Sequence, residues 1–167
     1  MERLVSFFAR IFFQITPHDN LHIRFKGLMS LEPNVSYGRY WPLSVPGGFA
    51  TIGMSPFNHK CLPDYGDLNS ATISRLSTLL HEVVHAYIGH YACYSYPSRK
   101  EDLEQLEEHG RTWQRIASSV ERAAVHRTSL PLKLGRLNSV LRHWGYMQCW
   151  PTQKEVKDWG LIMEDSR

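Results

Sequence analysis

Leu79-Leu80-His81-Glu82-Val83-Val84-His85-Ala86-Tyr87 is the stretch whose reading decides the fold. Two histidines four residues apart lie above one another on one face of an α-helix. His81 and His85 can therefore each bring a ring nitrogen to about 2.0–2.1 Å from a single Zn2+ ion. Glu82 is turned about 100° from His81 around the helix axis. Its carboxylate then stands beside the metal, where it can take a proton from the water that a catalytic zinc activates. With this composition the pattern arises by chance in roughly 3% of shuffled chains. Leu76, Leu80, Val83, Val84 and Tyr87 reduce the weight of chance, because they give the segment an apolar side at helical spacing. The competing reading is a core helix carrying two satisfied histidines.

Outward from this stretch, Asn69 or Ser70 can cap the helix and Gly89 can stop it, which predicts a helix over 71–88. A catalytic zinc takes three protein ligands and keeps a fourth position open. His90 is nearest in sequence, but it lies about 140° around the helix from His85 and reaches the metal only if the chain breaks at Gly89. Ile88 and Tyr91 stand where the H-E-x-x-H-x-x-G-x-x-H form needs Gly and His, which disfavours that form. Glu104, Glu107 and Glu108 offer carboxylates. His109 is the stronger candidate, because Gly110 follows it and a helical pattern starts at once through Trp113, Ile116, Ala117 and Val120.

Upstream, Leu4, Phe7, Phe8, Ile11, Phe12 and Ile15 recur at helical spacing and predict an amphipathic helix packed on the core. Residues 21–26 alternate apolar and polar, and 35–41 and 49–54 also read as strands, so the expectation is a small antiparallel sheet. Pro63, Asp64, Gly66 and Asp67 make 57–68 a loop. Glu101 to Glu108 reads as an acidic turn or short helix. Leu134, Leu137 and Leu141 predict a last helix over 130–141, and a tryptophan-rich tail follows Gly145. The class is α+β, with the metal helix packed against the sheet.

These residues together resemble the SprT-like zinc metalloprotease domain, to which the Spartan DNA–protein crosslink proteases belong. The resemblance rests on His81-Glu82-x-x-His85, on His109-Gly110-Arg111-Thr112-Trp113-Gln114, on Gly38-Arg39-Tyr40 and on Ile52-Gly53-Met54-Ser55-Pro56. It covers about Leu4 to Glu121 and is similar to fungal members in particular. It implies a zincin-like fold, His81, His85 and His109 as Zn2+ ligands, Glu82 as general base, and a polypeptide substrate, with DNA-associated proteins as one class. The domain would span 1–125, with 126–167 a helical, Trp-rich extension packed on it. Glu108 replaces the glycine that usually precedes the third ligand, and no cysteine-rich zinc ribbon follows. His90, Tyr91 or Tyr94 would stabilise the oxyanion or contact substrate.

A chain of 167 residues with net charge +3 is large enough to bury one sizeable core. Cys61, Cys93 and Cys149 form no C-x-x-C pair, and so sparse a count points to an intracellular compartment, cytoplasmic or nuclear, with secretion the minority reading. No segment approaches the about 18 apolar residues of a membrane span, and a monomer is expected. Between Arg111 and His143 seven basic residues, among them Arg111, Arg115 and Arg122, face Glu121 as the only acid. They could track nucleic-acid phosphates, but a solvated basic face is the favoured reading. The alternative to an enzyme is a zinc-stabilised module that binds protein or nucleic acid without turnover.

Overall fold

The computed structural model describes residues 2–14, 23–27, 38–41, 50–54, 68–91, 109–144 and 150–161. Residues 57–67 of the expected loop and the acidic segment 101–108 lie outside them, and Leu68, expected to close the loop, is instead the first residue of a helix. Helix α1 (Glu2–Phe13) precedes three short strands, β1 (Ile23–Gly27), β2 (Gly38–Trp41) and β3 (Ala50–Met54), and then the long helix α2 (Leu68–Tyr91). Helix α3 (Arg111–Thr128) follows, then α4 (Arg136–Ser139), which runs on into a π-helical turn at Val140–Trp144, and finally α5 (Gln153–Trp159).

The architecture is α+β, and the sheet differs from expectation. Its order is β1-β3-β2, with β3 in the centre. β2 pairs antiparallel with β3, but β1 pairs parallel with it, from Ile23 opposite Ala50 to Gly27 opposite Met54. The sheet is therefore mixed. Alternating apolar residues mark a strand but carry no information on the direction of its neighbour, which depends on the course of the connections.

Helix α2 lies at the centre of the core. Leu79, Leu80, Val83, Val84 and Ala86 are completely buried, which requires cover on several sides at once. Val5 and Phe8 of α1, Ile52 and Met54 of β3, and Trp113, Ala117, Val120 and Ala124 of α3 supply it. The α3 positions advance by four, three and four residues, the stripe of a helix with one buried face. α2 is longer than expected at both ends. Asn69 and Ser70 lie inside its first turn, and it runs unbroken through Gly89. A glycine costs a helix only about 1 kcal/mol, which packing readily outweighs.

The expected helix over 130–141 is a second correction. α3 ends at Ser129 in the left-handed conformation, with φ 57°. Leu130, Leu132 and Leu134 then face the core at every second residue while Pro131 and Lys133 face solvent. That is the period of extended chain, and helix begins only after Gly135, whose φ of 73° suits a residue without a side chain. Val140, Trp144, Trp159 and Leu161 form a second, smaller core. Thr152 and Glu155 form a reciprocal capping box that starts α5 next to it. No described helix is long and apolar enough to cross a membrane.

Candidate metal centre

His81 and His85 occupy successive turns of α2, and His109 stands just before Gly110, the residue from which α3 starts. Packing of α3 on α2 through Trp113 brings the three imidazoles together. Their Nε2 atoms are 3.1 Å (His85 to His81), 3.2 Å (His85 to His109) and 2.9 Å (His109 to His81) apart. Donors on one tetrahedral ion at about 2.0–2.1 Å stand about 3.3 Å from one another. The triangle fits a single ion, and the three histidines could hold one.

The protonation pattern agrees with that fit. His81 Nδ1 lies 2.7 Å from the carbonyl oxygen of Leu134. A carbonyl only accepts, so Nδ1 carries the proton and Nε2 presents a lone pair to the triangle. Burial lowers the pKa of His81 to about 4, against a smaller opposing effect of that hydrogen bond. Burial likewise pushes His85 well below the usual histidine range, aided by the neighbouring His81 and His109. Neutral imidazoles are what metal coordination needs. Trp113 packs against all three rings, with centroids 4.7 Å from His81, 5.5 Å from His85 and 4.7 Å from His109. Its indole N–H finds no hydrogen-bond partner among the described residues, so the ring serves the site by packing.

Glu82 is 6% exposed, on the side of α2 that β2 covers. It follows His81 directly on the same helix, so the base candidate and the imidazole cluster share one rigid element. His90 and Tyr91 are the last residues of α2. Because the helix continues through Gly89, the break on which the sequence reading made His90 depend does not occur. The side chains of His90 and Tyr91, and all of Tyr94, lie outside the described residues.

Four residues of the basic run, Arg111, Arg122, Arg127 and Arg136, make contacts within the chain, the first three from exposed positions. Arg111 Nε donates to Glu155 Oε1 at 2.6 Å, and its guanidinium lies 5.0 Å above the Trp144 ring. This contact holds the Glu155 carboxyl down to about 2. Arg122 donates to the hydroxyls of Ser118 and Ser119, Arg127 to the carbonyl of Ile11, and Arg136 to Glu121 and the carbonyl of Trp159. Arg115 is exposed and lines a groove of about 470 Å³ with Phe12, Phe13 and Tyr87. The acid that neutralises Arg111 comes from Glu155, 44 residues on, which a count within the run misses. Trp144, one of the aromatic residues after the run on which exposed nucleic-acid bases could stack, is 2% exposed and offers them no open face.

Two contacts escaped sequence reasoning: Leu134 O on His81, and the Trp144 indole N–H donating to the carbonyl of His109 at 3.3 Å. Backbone carbonyls leave no mark in a sequence, so neither carried a signal. Comparison of the chain with protein-family models, with curated proteins and with solved structures finds no match.

Proposed function

We propose that this chain is a zinc-dependent endopeptidase of zincin-like, SprT-like type. One observation carries the reading: the Nε2 atoms of three imidazoles converge, two of them from a helix that also bears a buried glutamate directly after the first. His81, His85 and His109 would hold the zinc. When bound, it supplies Lewis acidity toward water and toward the scissile carbonyl.

The remaining chemistry belongs to the chain. Glu82 accepts the proton of the attacking water and later passes it to the leaving amine, which avoids expelling an amide anion. Leu134 O fixes the tautomer of His81 and so keeps its Nε2 available for coordination. Trp113 excludes solvent from the face of the imidazole cluster and thereby strengthens the local electrostatics. A purely structural metal site has no use for a buried carboxylate next to its ligands, which weighs against the reading as a non-catalytic binding module.

Metal analysis of purified protein, together with casein and histone cleavage by wild type and Glu82→Gln, tests the proposal. Expected are one zinc per chain, cleavage by wild type and loss of turnover with retained zinc in the variant. Equal cleavage by both proteins, or absence of bound metal, overturns it. Bound metal without cleavage of any peptide in a broad library supports the binding module instead.

A further inference from the structure

Two outer contacts of the imidazole cluster come from one place, the chain beyond α3. Leu134 O holds His81 through Nδ1, and Trp144 Nε1 holds the backbone of His109. Each is itself anchored. The Leu134 N–H donates to Glu121 Oε1 on α3 at 2.6 Å, and the Lys133 N–H donates to Ser77 Oγ on α2 at 3.1 Å, so the extended segment before Gly135 is tied both to the helix that bears His81 and His85 and to the helix that follows His109.

Trp144 ends the π-helical turn Val140–Trp144. Such a turn takes in one extra residue and rotates the chain beyond it by about 100° relative to an α-helix. Here the turned residue is the one whose indole reaches His109. Its ring meets Trp159 edge-on at 5.7 Å, and Arg111, the second residue after His109, bridges that ring to Glu155 of α5. Ser118 and Arg136 bind the carbonyl of Trp159 at 2.9 and 2.8 Å, which fastens the end of α5 to α3.

We infer that residues 130–144 and 150–161 form the orienting frame of the metal site, with Trp144 the positioning residue for His109. This rests on the metal reading above. These residues fix where two of the three ligands stand, so metal affinity depends on residues that touch no metal. A change in such an outer contact typically costs about 10–100-fold in affinity.

The test uses the full chain. Trp144→Phe keeps an aromatic ring against Trp159 and Arg111 but removes the N–H. Incorporation at position 144 of the benzothienyl isostere of tryptophan, with sulfur in place of N–H, keeps the full ring volume and guards against poor folding of the phenylalanine variant. Val5→Ala is the control, since Val5 is buried in the main core on α1, which supplies neither an imidazole nor one of the outer contacts above. Zn2+ affinity is read by competition with a chromophoric chelator, and geometry by the visible absorption of the Co2+-loaded protein. Expected are about 10–100-fold weaker Zn2+ binding and a shifted Co2+ band for both position-144 variants, with Val5→Ala within about threefold of wild type. Wild-type affinity and spectrum in the isostere, or equal losses in all three variants, overturn the inference. Failure of the wild-type protein to take up metal overturns the metal reading as well, which separates the two outcomes.

Discussion

Gly38 lies so close to Glu82 that a Cβ placed on it would stand 2.8 Å from Glu82 Oε1, 2.9 Å from Glu82 Cγ and 2.9 Å from Thr78 Cγ2. β2 thus closes over the carboxylate, and the approach leaves no room for a side chain. Gly38→Ala should displace either the carboxylate or the strand, at about 1–3 kcal/mol of stability. Zinc stoichiometry should hold, because the clash falls on Glu82 and Thr78 and not on an imidazole, while peptide hydrolysis should fall at least about tenfold. Metal analysis, thermal melts and steady-state assays read the three effects separately. Undiminished hydrolysis would mean that the close approach has no part in the chemistry.

Replacing His109 by Ala should abolish stoichiometric zinc binding, since two imidazoles of α2 alone leave the tetrahedral site half filled. His90→Ala should bind like wild type, because α2 passes through Gly89 without a break. Equilibrium dialysis of the two variants discriminates between the candidates, and a loss confined to His90→Ala would assign the third ligand to the wrong residue.

The metal-free protein should lose stability as the pH falls below neutrality. Burial lowers the folded-state pKa of His81 to about 4 and that of His85 well below 6.5. The unfolded chain takes up these protons near pH 6.5, whereas the folded chain resists them. The contribution is therefore complete above pH 6.5, declines between 6.5 and about 4, and for His81 levels off below that. For His81 the change is on the order of 3 kcal/mol. Urea midpoints of chelator-treated protein at several pH values follow it, and a flat profile would rule it out.

One carboxylate, Glu121, serves two neighbours at once. It accepts from the Leu134 N–H at 2.6 Å and from Arg136 Nε at 2.7 Å, with the Arg136 side chain only 10% exposed. Glu121→Ala should cost about 3 kcal/mol, because it leaves the Leu134 N–H without its acceptor and a shielded guanidinium without its counter-charge, with only the Trp159 carbonyl still accepting from it. Lys154→Ala, at the exposed pair with Asp158, should change stability by less than about 0.5 kcal/mol. Chemical denaturation of both variants checks the contrast, and equal effects would contradict it.

What the sequence by itself determined is local. The spacing of His81 and His85 follows from helical periodicity, and so does the position of Glu82 next to them. His109 emerged because a helix pattern begins directly after it, and the leucines and valines of α2 announced a buried helix. What only the tertiary structure decided depends on chain reversal in space. The parallel pairing of β1 with β3 is set by connections, and neither strand's residues encode it. The unbroken course of α2 through Gly89 is set by packing that outweighs a weak local preference. Leu130, Leu132 and Leu134 bury themselves as extended chain, because Ser129 and Gly135 take left-handed conformations on either side. The outer contacts of His81 and His109 run through backbone carbonyls and a tryptophan 35 residues away. A carbonyl is the same on every residue, so its role is written in the fold alone.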